Sequence, residues 1–209
     1  MTKTLRRLTV ACIVTLGLAG VGRTVSADQR EPLTLVVWAR DTAQVPDDVL
    51  THAQTEVTRI LRQAGVETVW RAPSSASANT DASREPQLTI AIVSYDQAER
   101  LHPALTRAGV GVGFAMSSSP TTRTTVAYVF YHRVKSLTGA SGVHLAPALG
   151  AAMAHEIGHL LLDSAHSETG LMRADWTKAD LQLIQRSELF FTAPQGELIR
   201  RGLAGSRQQ

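Results

Sequence analysis

The sequence predicts an α+β fold with an α/β-like mixed sheet, in which a β-α-β-β-β core is followed by a buried helix and a C-terminal helix. In the first half of the chain, short apolar segments rich in β-branched residues alternate with one long helical pattern. In the second half, ALGAAMAHEIGHLLL is apolar on nearly all sides, which is typical of a helix inside a core. The 209 residues suit one domain of moderate size.

The first half of the chain supplies a β-α-β unit and a further strand. LTLVVWA, residues 33–39, is short, apolar and β-branched, and it predicts a buried strand. Apolar residues then recur at helical spacing over 47–64, and Gly65 is suited to end that helix. VETVWR (66–71) predicts a second strand, parallel to the first, and QLTIAIVSY (87–95) predicts a third.

The second half supplies two more strands and two helices. GVGFAMS (111–117) predicts a glycine-weakened edge strand, and TTVAYVFYHRV (124–134) predicts another strand. The apolar helix covers 148–162, and a Thr-x-x-Asp capping pair opens a final helix over 177–189. Residues 193–209 are predicted to form a flexible tail.

The N-terminus has the layout of a secretory signal peptide over residues 1–27, with a basic start, an apolar run over 8–22 and small residues before the cleavage position. We therefore expect an exported protein, periplasmic or extracellular, with its domain over 28–192. Without the signal the chain keeps 17 of its 21 basic side chains against 18 acidic ones, so no nucleic-acid partner is expected. Cys12, the only cysteine, leaves with the signal, which excludes disulfides and thiolate metal ligands. No membrane contact is expected after cleavage.

The segment HEIGH carries the chemistry that the sequence predicts. His155 and His159 are four residues apart on a helix, so their imidazoles project from one face and can share one cation. Glu156 lies beside the first ligand and can act as a general base toward an activated water. The alternative is a pair of core histidines and a salt-bridged glutamate. Burial of the helix favours the metal, because buried polar groups are costly without partners.

His166 is the favoured third ligand, because the chain must leave the helix after Leu162 and the next residues suit a turn. Asp163 is its main rival and Glu168 a weaker one, and His166 as a solvated loop residue is a further alternative. Met172 follows a glycine turn. It is predicted either to form a hydrophobic floor beneath the ligands or to fill the core.

The stretch HEIGHLLLDSAH followed by GLM resembles the metzincin clan of zinc metallopeptidases, whose signature is HExxHxxGxxH followed by a methionine-containing turn. It resembles small bacterial exported proteins with HEIGHLLL and a GIM-like turn more closely than it resembles the well-known metzincin families. Two departures stand out: Leu162 occupies the place of the turn glycine, and the third histidine comes one residue late. The resemblance implies three zinc ligands at His155, His159 and His166, a general base at Glu156 and a methionine turn at Met172.

The resemblance also implies a zinc-dependent endopeptidase with Zn²⁺ as cofactor and a protein or peptide as substrate. In the clan, the edge strand binds an extended peptide by strand addition. Here the predicted substrate contacts are Gly111, Val112, Gly113 and Phe114, and we expect a monomer. Two alternatives stay open: an inactive metallopeptidase-like binding domain with a structural zinc, and an amidase acting on cell-wall peptides.

Overall fold

A five-stranded mixed sheet organises the fold, and its strands are β1 (Leu33–Asp41), β2 (Val66–Arg71), β3 (Gln87–Val93), β4 (Gly113–Ser117) and β5 (Thr125–Phe130). Their order in the sheet is β2-β1-β3-β5-β4. Strand β4, at one edge of the sheet, runs antiparallel to its neighbour β5, and the other three strand pairs are parallel. This computed structural model describes residues 33–71, 86–104, 111–117, 125–162 and 166–206.

Six helices accompany the sheet within the described residues, which confirms the predicted α+β fold. The larger core cluster lies between one sheet face and the long helices, and a smaller apolar cluster lies on the opposite face. The helices are α1 (Asp47–Gln63), α2 (Tyr95–Leu101), α3 (Tyr131–Ser141), α4 (Leu145–Leu162), α5 (Lys178–Gln185) and α6 (Ala193–Ser206).

The predicted β-α-β unit is confirmed, and α1 buries the stripe that its spacing indicates. β1 and β2 pair in parallel, and α1 turns Val57, Ile60 and Leu61 into the core with no exposed surface. Gly65 follows with φ +81°, a left-handed conformation that favours glycine. The apolar residues that the helical spacing of α1 predicts to be buried are therefore the ones that the fold buries.

Helix α4 is the central element of the core, as predicted. It is long and apolar enough to cross a membrane, but 61% of it is buried inside the domain, as expected of a core helix. It packs across β4 and β5 on one side and against α1 on the other. A Cβ on Gly150 would lie 2.8 Å from the carbonyl oxygen of Ala53, so glycine permits this close approach of the two helices.

The predicted strand over 124–134 is wrong at its C-terminal end, because β5 stops at Phe130 and the chain continues as α3. Val134 is fully buried as a helical residue. The edge strand begins at Gly113 rather than at Gly111, whose φ of +76° is incompatible with an extended strand. Helix α2 was not predicted, although a Ser94–Gln97 capping box marks its start.

The predicted flexible tail from residue 193 is also wrong, because Ala193–Ser206 forms helix α6. Ile199 and Leu203 are buried in the main core, and Arg200 donates a hydrogen bond to the carbonyl of Ala64 at 2.9 Å. The capped helix predicted over 177–189 begins as expected but ends at Gln185. The predicted signal peptide lies outside the described residues.

Candidate metal centre

Two histidines of α4 form the base of the candidate site. His155 and His159 lie one helical turn apart, and their Nε2 atoms are 3.1 Å from each other. Their rings meet edge to face, with centroids 4.8 Å apart. The sequence prediction that one helix face presents both imidazoles together is therefore matched by the structure.

His166 joins this pair from the segment that follows α4. Its ring centroid lies 5.3 Å from that of His155 and 4.8 Å from that of His159. One ligand atom from each histidine can be chosen so that all three lie within 4.8 Å of one another, so the three side chains could bind a metal ion. The rival Glu168 is exposed and outside this group, and Asp163 lies outside the described residues.

The site changes from buried to open across its three histidines. His155 is buried with 4% of its surface exposed, His159 is half-buried, and His166 is exposed. A metal held here would be shielded on the α4 side and accessible on the His166 side. Catalytic metal sites need such an open side, whereas closed structural sites do not.

The protonation of His155 suits a metal ligand. Its Nδ1 lies 2.8 Å from the carbonyl oxygen of Leu171, which can only accept, so Nδ1 carries the proton and Nε2 keeps its lone pair. Burial, partly opposed by this hydrogen bond, lowers the pKa of His155 to about 4. The imidazole is therefore neutral at physiological pH, which is the form that binds a metal.

The spacing of the donor atoms also fits a small tetrahedral ion. Two imidazole nitrogens bound to one tetrahedral zinc lie about 3.3 Å apart, given the usual Zn–N bond length. The His155–His159 separation of 3.1 Å is close to that value. His166 has to approach by roughly 1.5 Å at most, since the group spans up to 4.8 Å. Side-chain rotation of an exposed histidine can supply that movement.

The segment after His166 ties the first and third ligands together through a tight turn. Ser167, next to His166, donates its backbone N–H to the carbonyl of Met172 at 2.8 Å. Gly170 forms the turn with φ +75°. Leu171 binds His155 through its carbonyl and the carbonyl of Phe190 through its N–H, also at 2.8 Å. One short segment therefore contacts both ends of the histidine cluster.

Met172 is fully buried beneath α4, next to the turn that carries the ligand contacts. A Cβ on Gly158 would overlap the Met172 sulfur and would lie 2.7 Å from a ring carbon of Phe191. Glycine at this helix position therefore makes the space that Met172 occupies. Met172 is therefore a core residue, as one of the two predictions states, and it packs against α4 at Gly158, the residue before His159.

Glu156 is buried beside the first ligand, with 2% of its surface exposed. Burial raises the pKa of its carboxyl to about 8. Within the described part of the chain, its Oε2 atom is buried and has no hydrogen-bond partner. A buried carboxyl without a partner costs stability, so its retention in the core calls for another role.

Edge strand β4 lies directly against Glu156. A Cβ on Gly113 would lie 2.8 Å from Cγ and 2.9 Å from Cδ of Glu156, and it would overlap the carbonyl oxygen of Tyr128. Of the four predicted substrate contacts, Gly113 is thus adjacent to the site. The side chain of Phe114 lies on the opposite sheet face, stacked on Tyr128 at 4.7 Å, and Gly111 and Val112 precede the strand.

Two residues that sequence reasoning missed support the site. Gln195 of α6 donates a hydrogen bond to the Ser167 hydroxyl at 3.2 Å, next to the third ligand. Trp176 donates its indole N–H to the carbonyl of Leu171 at 3.1 Å. Their sequence signals are weak: a glutamine in a segment of low helical propensity, and a tryptophan four residues past the methionine.

No family model and no curated protein matches this chain. The function of the site must therefore be argued from its geometry and chemistry.

Proposed function

We propose that this chain is an exported, zinc-dependent endopeptidase of the metzincin type, with Glu156 as its catalytic acid and base. The observation that carries the proposal is the position of Glu156. Its buried carboxyl follows a metal-binding histidine in the chain and touches the edge strand of the sheet at Gly113. Three histidines that could bind a metal, a buried carboxyl and the edge strand β4 therefore lie close together, which supports the proposal.

Zinc suits the donor set best. Three imidazole ligands with one open position are a usual zinc environment, and the mature chain offers no thiolate for softer metals. His155, His159 and His166 would hold the ion. When bound, zinc supplies a Lewis acid that polarises a peptide carbonyl and lowers the pKa of water toward neutrality.

Glu156 would move the proton. A carboxyl in an apolar site is a stronger base than an exposed one, because burial disfavours its charged form. It would take a proton from the attacking water and return it to the leaving amine. Removal of bulk water from this position also keeps the proton between the reacting groups.

Strand β4 would hold the substrate. It is the terminal strand of the described sheet and pairs there with β5, and an added strand would pair with its other edge. A peptide bound there in extended form would lie close to Glu156, because Gly113 carries no side chain between the edge and that carboxyl. Backbone pairing recognises a polypeptide and not a particular side chain, which suits an endopeptidase.

A structural zinc in a non-catalytic binding domain is the first alternative. A closed structural site needs no acid beside its ligands, and a buried carboxyl oxygen without a hydrogen-bond partner, such as Oε2 of Glu156, would only destabilise such a domain. The amidase alternative uses the same residues and differs in the substrate, a cell-wall peptide.

The test begins with the zinc content of the exported, mature chain and the cleavage of a broad peptide library and of cell-wall peptides. We expect one zinc per chain and chelator-sensitive cleavage of the library. Glu156→Gln should retain zinc and lose at least about 100-fold in turnover, the usual contribution of a general base. Glu168→Gln, an exposed acid near the third ligand, is the matched control and should keep full activity.

Each alternative has its own outcome. Bound zinc without cleavage of either substrate supports the structural role. Cleavage restricted to cell-wall peptides supports the amidase. Full turnover by the Glu156→Gln variant would exclude the proposed mechanism. The mass of the exported chain tests the signal peptide, which should be removed after residue 27.

A further inference from the structure

The carbonyl of Leu171 accepts hydrogen bonds from two side chains, those of His155 and Trp176. His155 donates through Nδ1 at 2.8 Å, and Trp176 donates through Nε1 at 3.1 Å. A carbonyl oxygen has two lone pairs, so these two donors saturate it. The Trp176 indole also meets the His155 ring edge to face, with centroids 5.8 Å apart and planes at 89°.

The backbone around Trp176 is held by the start of α5. Thr177 caps that helix, and its N–H and hydroxyl bind the Asp180 carboxylate at 2.8 and 2.6 Å. Arg173 pairs with the same carboxylate at 3.2 Å, which closes the segment between the methionine turn and the helix. The Trp176 indole is therefore held in place by the capped N-terminus of α5, which directly follows it in the chain.

We infer that Trp176 is a positioning residue for the first metal ligand, acting through the shared Leu171 carbonyl. By donating to this oxygen, the indole fixes the acceptor that selects the Nδ1–H tautomer of His155. Its ring also limits rotation of the imidazole, so Nε2 stays directed at His159. Outer partners of this kind orient metal ligands and strengthen their binding.

The inference rests on the proposed function to the extent that the three histidines bind zinc. It adds a residue that contacts neither substrate nor metal and that acts on metal affinity and ligand geometry. Loss of an outer partner typically lowers metal affinity 10- to 100-fold. Trp176→Phe removes the N–H donor and keeps an aromatic ring, so we expect about a tenfold loss of zinc affinity, at the low end of that range.

Trp70→Phe is the matched control. Trp70 is also partly buried and also donates one indole hydrogen bond, to the hydroxyl of Thr58 at 3.0 Å. It lies in β2, at the edge of the sheet opposite β4. The same substitution there should leave zinc affinity unchanged within about twofold, because the control lacks any contact with a metal-ligand partner.

The experiment measures zinc dissociation constants of the full chain by competition with a chelator, for the wild type and both variants. The visible spectrum of the Co²⁺-substituted protein provides a second readout, because its bands depend on ligand geometry and not on stability. We expect Trp176→Phe to weaken zinc binding and to shift the Co²⁺ bands, while Trp70→Phe does neither. Urea unfolding of the metal-free variants identifies conditions in which all three are folded.

The outcomes separate the inference from the proposed function. Wild-type affinity and an unaltered Co²⁺ spectrum in folded Trp176→Phe would overturn the inference and leave the zinc site intact. An equal loss of affinity in both variants would also overturn it, since the effect would then be general. A wild-type chain that binds no metal would overturn the proposed function and the inference together.

Discussion

Gly158 offers the sharpest test of the packing beneath the metal ligands. It lies in α4 between the two ligand histidines, and a Cβ there would overlap the sulfur of Met172 and approach Phe191 to 2.7 Å. Met172 is fully buried and Phe191 is 8% exposed, so neither side chain can move into solvent. Gly158→Ala should therefore force a shift of the methionine turn.

Two opposing effects determine how much Gly158→Ala changes the free energy of unfolding. Overpacking of a close-packed core costs about 1–3 kcal/mol. Replacing a helical glycine by alanine contributes about 1 kcal/mol in the other direction. Gly139→Ala in α3 isolates the second effect, because a Cβ there meets nothing within 4 Å. The Gly158 variant should thus be about 1–3 kcal/mol less stable than the Gly139 variant.

The assay is urea unfolding of the metal-free proteins, followed by zinc competition on the folded variants. Gly158→Ala should also weaken zinc binding by about tenfold, because the shifted turn carries the acceptor of His155. Gly150→Ala is the control for a purely structural clash. Its Cβ would lie 2.8 Å from the Ala53 carbonyl, and Gly150 lies more than one helical turn before His155, so stability should fall while zinc affinity is kept.

A Gly158→Ala variant as stable as Gly139→Ala would show that Met172 does not occupy the space beneath the helix. Equal weakening of zinc binding in Gly150→Ala and Gly158→Ala would show that the effect on zinc does not come from the methionine turn.

Four further predictions concern the acid, the edge strand, the third ligand and the last helix. In the metal-free protein, the stability contributed by Glu156 should fall as pH rises from 4.5 to about 8, because burial raises the pKa of the folded carboxyl above its unfolded value. Glu156→Gln should remove that dependence, and parallel unfolding free energies of the two proteins across this window would contradict it. Gly113→Val should lower kcat/KM more than zinc affinity, because its side chain would displace Glu156; unchanged peptide cleavage would show that the contact is unimportant. His166→Ala should weaken zinc binding more than about 100-fold, the upper range for an outer partner, while metal-free stability changes by less than about 0.5 kcal/mol. A larger loss of zinc affinity in Asp163→Ala than in His166→Ala would identify Asp163 as the third ligand. Ile199→Ala should cost about 2–5 kcal/mol in urea unfolding, because this α6 side chain has no exposed surface; a cost below about 1 kcal/mol would show that the helix is not packed.

Much of the fold could be predicted because its signals are local. β1, α1 and β2 each combine the expected hydrophobic period with suitable boundaries, and their predicted ranges differ from the structure by two residues at most. The Thr177 capping box likewise marks the start of α5. Signals of this kind depend only on residues that are close together in the chain, so they can be recognised without the structure.

The errors share a physical cause. Helix α6 contains three glycines and one proline, so its local propensity is poor, and it is stabilised by burying Ile199 and Leu203 against distant elements. Arg200 reaches the carbonyl of Ala64, 136 residues earlier in the chain. The strand prediction over 124–134 failed for a related reason. Tertiary packing, and not the β-branched residues, decides that β5 ends at Phe130 and that α3 begins at Tyr131.

The sequence by itself determined the pair His155 and His159, their placement on one buried helix, and the adjacent Glu156, because a four-residue helical spacing fully specifies a shared face. Only the tertiary structure decided what surrounds them. His166 reaches the cluster from a separate segment, Gly113 meets Glu156 across the sheet edge, and Trp176 shares an acceptor with His155. Each of these contacts joins elements whose relative position depends on how the whole core packs, which no short stretch of sequence encodes.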